Sequence, residues 1–339
     1  MLKKSLLLAG CLAAALCGSV PSASALEDAT RAPYQNAFKG KKVAFFPITM
    51  SIDITQTWAA EMKKVLEPLG VQFVIRDGNF NVDSTAQAMT NLIDQGVNVL
   101  VVQNNDYQAY VRLYRQAQAA GIYVVQIGMQ SAMQTDLYAG PDWTTLGEMM
   151  GKTAIAKCGA NSGKSGKIAL VQGAVTSANG IFITQGIQKA IAADPSIKIV
   201  ANQGTDWDPS KAHAIASTTL QQHPDLCAFL GYYDDQDLGV VAALKEAGKT
   251  GKVLLLTSGI GEQKNCDHIG SGEYDIYYTY DPRITGRQAA DTISYLLQTH
   301  PPAGSMKALQ VTPLTETTKE AYKPQSCWAI NNVVGASAK

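Results

Sequence analysis

The sequence predicts an α/β fold made of two doubly wound parallel sheets. Three observations carry this expectation. Nine apolar, β-rich runs alternate with segments of helical period along the chain. Several runs are nearly continuous in Val, Ile, Leu or aromatic residues, as strands covered on both faces are. The chain after its leader also exceeds the about 250–300 residues at which one core usually splits. The pattern therefore runs twice, and two domains are expected.

The leader comes first. MLKKSLLLAGCLAAALCGSVPSASALED has two lysines, an apolar stretch from Leu6 to about Cys17, and small residues ending Ala23-Ser24-Ala25. That is the order of a cleavable secretory signal, residues 1–25. The apolar stretch is shorter than the about 20 residues that span a bilayer. Leu8-Ala9-Gly10-Cys11 also has lipobox-like residues. Lipoprotein anchoring at Cys11 is disfavoured, because that cut leaves a very short signal. No later stretch reads as a membrane span.

The predicted strands are KVAFFPI (42–48), VQFVIRD (71–77), VNVLVVQ (97–103), IYVVQIG (122–128), KIALVQG (167–173), IKIVANQ (197–203), CAFLGYY (227–233), KVLLLTS (252–258) and YDIYYTY (274–280). In TWAAEMKKVLEPLG, residues Trp58, Met62, Val65, Leu66 and Leu69 share one helical stripe, and Gly70 stops the helix. NVDSTAQAMTNLIDQG offers Asp83 or Ser84 as cap, with Met89, Leu92 and Ile93 inward. Asp281 and Pro282 open a further helix as N-cap and first helical residue. Strand, helix, strand with short connections gives right-handed βαβ units. A loop-rich stretch near Tyr138–Trp143 reads as the first crossing between domains.

Lys and Arg total 28, Asp and Glu total 28, and no basic cluster stands out, which argues against nucleic acid as a partner. Of six cysteines, Cys11 and Cys17 lie in the leader. Cys158, Cys227, Cys266 and Cys327 remain, an even set in an exported chain, and read as disulfides. Of the three connectivities, Cys158–Cys227 with Cys266–Cys327 is preferred. A zinc held by all four lacks the C-x2-C spacing it needs.

Ligands of such sheets sit beyond the carboxyl ends of the strands. The corners there read FPITMSID, VVQNNDYQ, QIGMQ, QGTDWDPS, GYYDDQDLG, LTSGIGEQ and YTYDPR. Candidate ligand-binding residues at the corners and the crossing are Thr49, Ser51, Asp53, Asn104, Met129, Asp142, Trp143, Trp207, Tyr233, Asp234 and Tyr280. Trp58, Trp143, Trp207, Tyr232, Tyr233 and Tyr280 supply flat faces suited to sugars, rings or cations. Trp58, on its helix stripe, reads first as core packing. Asp234 or Asp235 reads as a helix cap, with Asp234 also facing the cleft.

Catalytic and metal motifs are wanting. GANSGKS (159–165) has a three-residue spacing and precedes a strand, so it is no phosphate loop. No G-x-S-x-G elbow occurs. His213, His223, His268 and His300 lack zinc-protease spacing. The acids of YYDDQDLG lack the remaining ligands of a calcium loop. No cofactor, metal or catalytic residue is expected.

At this point the chain resembles the type I periplasmic sugar-binding proteins, the ribose-binding-like family of ABC importers. The segments that carry the resemblance begin KKVAFFPITMSIDITQTWAAEMKKVLEPLG and NLIDQGVNVLVVQNNDYQAYVRLYRQAQAAGIYVVQIG, and end DPRITGRQAADTISYLL. ITQGIQKAIAADPSIKIV and QQHPDLCAFLGYYDDQDLGVVAALKEAGKTGKVLLL lie between. Together they span residues 41–316.

The resemblance implies two lobes joined by three crossings near 142, 280 and 312. One lobe is then 41–142 plus 281–312, and the other 143–280 plus 313–339. It implies a periplasmic monomer that closes on a small molecule and delivers it to an ABC permease in the inner membrane, without chemistry of its own.

The chain departs from its relatives where they grip sugars. Gly128-Met129 stands for an Asp-Arg pair, and the position where relatives place a helix arginine falls near Ile181. Tyr233 stands for an Asn beside Asp234, Gly259 for an Asp, and Tyr280 for a Gln. The aromatic platform is kept as Trp207. Hydrogen bonds to charged groups contribute about 1.5–3 kcal/mol each, so an ordinary sugar would be held weakly. A ligand with a flat or apolar part, or a modified sugar or polyol, is expected instead. The rival readings are a sensor that presents its ligand to a membrane receptor and a secreted enzyme. A DNA-binding regulator is disfavoured, because a leader stands where a helix-turn-helix would be.

Overall fold

The structure is a computed structural model, and it describes residues 30–334. The expected signal, Cys11 included, lies outside the described residues.

The first lobe opens with helix α1 (Arg31–Phe38) and strand β1 (Lys42–Phe46). Then follow α2 (Asp53–Leu66), β2 (Gln72–Ile75), α3 (Val82–Asp94), β3 (Val99–Val102), α4 (Val111–Ala119), β4 (Tyr123–Ile127) and β5 (Leu137–Gly140). The second lobe continues with α5 (Trp143–Cys158), β6 (Lys167–Gln172), α6 (Ala178–Ile191), β7 (Lys198–Gly204), α7 (Pro209–Gln222), β8 (Ala228–Gly231) and α8 (Asp234–Glu246). β9 (Leu254–Gly259), α9 (Gln263–Ser271) and β10 (Ile276–Tyr280) complete it. Helix α10 (Pro282–Thr299) returns to pack on α2, followed by β11 (Ala308–Val311) and β12 (Leu314–Thr318).

The strands form two six-stranded sheets, ordered β11-β5-β4-β3-β1-β2 and β12-β10-β9-β8-β6-β7. The second order repeats the first with each strand number raised by five, apart from the first strand of each, β11 and β12. All pairings are parallel except β10 with β12, which is antiparallel. The chain passes between the sheets at Pro141-Asp142, at Asp281 and at Thr312-Pro313.

Both faces of the first sheet are covered, as the continuous apolar runs predict. Val99, Val101 and Val125 pack with Trp58, Met62 and Leu66 of α2. Their neighbours Leu100, Val102 and Val124 pack with Met89, Leu92 and Leu113 on the other side. Cys158 is bonded to Cys227, and Cys266 to Cys327, the preferred connectivity. The first bridge ties the end of α5 to the start of β8. The second ties α9 to the segment that ends the chain, where Asn331–Val334 lies against α2.

Several local expectations need correction. The loop-rich stretch at 138–140 is the end of strand β5, and the crossing is confined to Pro141-Asp142. Helix α2 begins a turn earlier than its stripe suggests, at Asp53. Asn81, not Asp83 or Ser84, caps α3, accepting from Ser84 N at 2.9 Å. Tyr233 is the N-cap of α8 and makes no side-chain cap bond, so Asp234 and Asp235 are its first helical residues. Asp281 does cap α10, accepting from Arg283 N at 2.9 Å.

Candidate ligand-binding cleft

The carboxyl ends of both sheets face a cavity of about 80 Å³ between the lobes. The first lobe contributes Ile48, Ile52, Ile54, Trp58, Phe80, Gln103, Gly128 and Met129. The second contributes Trp143, Asn179, Trp207, Tyr233, Asp235 and Tyr280. The wall is thus dominated by aromatic and branched side chains, with one carboxylate and two amides. No Lys, Arg or His lines it.

Two glycines let the tryptophans approach. Gly128 has φ +69°, a left-handed backbone that disfavours side chains. A Cβ there would come within 2.3 Å of the Trp58 ring. A Cβ on Gly173 would likewise come within 2.1 Å of the Trp207 ring. Trp143 donates from Nε1 to Gly128 O at 2.9 Å and meets Tyr280 edge-on, with centroids 5.2 Å apart. Trp207 meets Tyr233 in the same way at 6.0 Å. Trp207 itself sits at φ +69°, beside Asp206 at φ +51°. A tight turn after β7 thus presents the indole.

The lobes are held together around the cavity. Trp207 Nε1 donates to Asn105 Oδ1 at 3.3 Å, and Tyr107 N to Thr176 O at 2.9 Å. Tyr107 and Phe182 meet edge-on at 5.5 Å. Lys264 Nζ lies 2.6 Å from Asp53 Oδ2 of the first lobe and 3.3 Å from Asp235 Oδ1 of its own. Burial by itself would lower the Lys264 pKa, but the carboxylates of Asp235 and Asp53 raise it overall. The lysine is therefore firmly charged. The structure is a closed form.

Among the predicted ligand-binding residues, Met129, Trp143, Trp207, Tyr233 and Tyr280 line the cavity. The remaining six stand outside it, each with a different occupation. Thr49 O accepts from Thr55 Oγ1 at 2.6 Å, and Thr49 Oγ1 pairs with Ser51 Oγ at 3.0 Å, so these two shape the entry to α2. Asp53 is spent on Lys264. Asn104 is fully buried behind the wall, where its Nδ2 donates to Met129 O at 2.7 Å. Asp142 caps α5 from outside the cavity, accepting from Thr145 N at 3.1 Å.

Asp234 is fully buried one layer back. It accepts from the Tyr277 hydroxyl, and a Cβ on Gly259 would come within 2.0 Å of its carboxylate. Burial and the neighbouring Asp235 charge raise its pKa to about 7. Tyr232 is buried and bonded to Thr184 Oγ1 at 2.8 Å, also off the cavity.

Sequence reasoning missed Ile48, Ile52, Ile54, Phe80, Gln103 and Asn179 as cavity residues. It read Trp58 as core and Asp235 as a solvated cap. The strand-end rule points to Gln103, the last residue of the VNVLVVQ run. Nothing comparable marks Phe80, which is placed by a left-handed turn at Asn79 and Phe80.

A family model described as a periplasmic binding protein domain matches residues 43–301. The chain belongs to that family. This periplasmic binding protein is 29% identical over 183 residues to a D-ribose/D-allose-binding protein of Pseudomonas aeruginosa, covering 52% of this chain and 56% of that one. It is 33% identical over 159 residues to the D-allose-binding periplasmic protein of Escherichia coli, covering 44% and 50%. The match thus spans about half the length of these two relatives. A solved ABC transporter solute binding protein from Mycobacterium smegmatis, with bound glycerol, aligns at TM-score 0.73 and 25% identity, covering 84% of this chain and 96% of that one. The two parallel-sheet lobes are those of the type I fold.

Among the described residues, no helix is long and apolar enough to cross a membrane. Among them, no three His, Cys, Asp or Glu residues are grouped to hold a metal ion.

Proposed function

We propose that this protein, freed of residues 1–25 and acting as a monomer in the periplasm, captures one small molecule between its lobes. It then delivers that molecule to an ABC permease in the inner membrane. The jaws are 41–142 with 281–312 and 143–280 with 313–339, turning about the three crossings. The observation that carries the reading is the cavity itself. It is walled by both lobes and closed by bonds that run between them, so its contents bias open against closed. The relatives named for ribose and allose binding support the reading.

Of the departures from the family's grip, Gly128, Met129, Tyr233 and Tyr280 line this cavity, whereas Ile181 and Gly259 do not. They support a ligand with a substantial apolar part over an ordinary pentose or hexose. Thermal stabilisation by a panel of sugars, polyols, aromatic acids, nucleosides and quaternary amines tests capture. A ligand at 100 times its Kd adds about 2.7 kcal/mol. Conversion of a bound ligand into product would replace the transport reading with an enzymatic one.

A further inference from the structure

Two cavity-lining residues carry polar atoms that nothing in the protein satisfies. Trp58 Nε1 and the Tyr233 hydroxyl are buried and have no hydrogen-bond partner among the described residues. Each such orphan costs about 1–3 kcal/mol while it stays unpaired. Burial raises the Tyr233 pKa well above its ordinary value, and the charges of Asp235 and Asp234 raise it further, so the hydroxyl keeps its proton.

The two amides of the wall point to the same chemistry. Gln103 Oε1 accepts from Ile48 N at 3.0 Å, and Asn179 Oδ1 accepts from Gly180 N at 2.9 Å. Asn179 Oδ1 accepts also from Ser177 Oγ, Gln103 Oε1 keeps one lone pair, and both NH2 ends are left for a ligand. The wall therefore offers these NH2 groups and Trp58 Nε1 as donors, while the Tyr233 hydroxyl can both donate and accept. Its one charged acceptor, Asp235, has Oδ1 engaged by Asn265 Nδ2 at 2.9 Å and Lys264 Nζ at 3.3 Å, which leaves Oδ2 for a ligand.

The composition of the wall disfavours three ligand classes. A quaternary ammonium suits aromatic faces, but it has no oxygen for the orphan donors, whose positive ends would repel it. A carboxylate or phosphate would enter a cavity with no cationic side chain in its wall. A fully hydroxylated sugar would turn several of its O–H groups onto Ile48, Ile52, Ile54, Phe80 and Met129, leaving them buried and unpaired.

Resting on the solute-capture reading, we infer that the ligand is a neutral, deoxygenated or alkyl-substituted sugar or polyol. Its oxygens accept from Trp58 Nε1 and the Tyr233 hydroxyl, while its carbon face lies against the aromatic wall. These two donors determine specificity.

The test is isothermal titration of the purified protein with matched pairs. 2-Deoxy-D-ribose is compared with D-ribose, and D-fucose with D-galactose; tetramethylammonium and benzoate are the charged probes. The deoxygenated member of at least one pair is expected to bind at least about tenfold more tightly than its parent, about 1.4 kcal/mol. Tyr233→Phe keeps the ring and removes only the hydroxyl. It should weaken that probe about tenfold without lowering the melting temperature of the ligand-free protein, and Trp58→Phe should weaken the probe as well. Preference for the parent sugars, binding of a charged probe, or failure of all four neutral probes at millimolar concentration overturns the ligand class. The first two leave solute capture standing. Tight binding that Tyr233→Phe leaves unchanged overturns the donor assignment alone.

Discussion

Lys264 Nζ reaches across the mouth of the cleft to Asp53 Oδ2, 2.6 Å away, while remaining 3.3 Å from Asp235 of the cavity wall. One ammonium thus connects the rim of the first lobe with a group that touches the cavity. The lysine side chain is half exposed, so its contribution is modest, about 1 kcal/mol or less. Lys264→Met should speed ligand release up to about fivefold. Raising salt from low to high should speed release from the native protein and have much less effect on the variant. Stopped-flow dissociation at several ionic strengths checks both expectations.

Gly128 is predicted to tolerate nothing larger. Gly128→Ala would strain a left-handed backbone, about 1–2 kcal/mol, and drive a methyl group into the Trp58 ring. Ligand affinity should fall at least about tenfold, with a lowered melting temperature. Gly121 has a similar φ of +75°, but a Cβ there would meet nothing within 4 Å. Gly121→Ala should therefore lower stability and leave affinity intact. Titration of both variants separates the steric effect from backbone strain.

The fold was largely legible because buried parallel strands have a strong signature. Each of the nine apolar runs overlaps an observed strand. The three strands without a run, β5, β11 and β12, are short. β11 and β12 also expose much of their length, with polar residues interspersed, so they carry no continuous apolar signal. The site was legible in part. Trp143, Trp207 and Tyr280 lie beside strand ends, where both aromaticity and position point inward. Trp58 was hidden because one ring serves two purposes, filling the core beside Met62 and lining the cavity. Asp234 and Asp235 differ by one helical step, about 100° of rotation. Residue type cannot reveal which of two adjacent carboxylates turns toward the cavity, and in the structure it is Asp235.

Asp234 gives the protein a pH dependence. Its carboxyl is held near pKa 7 by burial and by Asp235, against about 3.9 in an unfolded chain. The folded state binds this proton more tightly, so the stabilisation is complete below about pH 3.9 and is lost as pH rises through 7. Asp237, buried beside it and bonded to Thr257, is shifted in the same direction by burial. Melting temperature should fall between pH 4 and pH 7.5. Asp234→Asn, neutral throughout, should flatten that slope and melt higher than the native protein at pH 7.5. Calorimetry across the range decides it.

The two disulfides are expected to differ in reach. Each closes a loop of more than 60 residues, Cys158–Cys227 separated by 69 and Cys266–Cys327 by 61. Replacing either pair with serine should cost about 2–4 kcal/mol. The first lies in the large core that runs through both lobes, and its loss should lower the global melting temperature. The second anchors the segment carrying Trp328, whose indole donates to Ile260 O at 2.7 Å. Its loss should first expose residues 319–330 to proteolysis, and ligand affinity should change little. Limited digestion with mass spectrometry distinguishes the two.

The unpaired hydroxyl of Tyr233 also bears on what happens when nothing is bound. Parting the lobes would let water reach it, whereas closing them on an empty cavity strips that water away and supplies no replacement. Vacant closure is thus penalised by the wall itself, and a filled cavity removes the penalty. On the proposed transport reading, this suppresses false signals: the closed conformation is rare unless there is something to hand over.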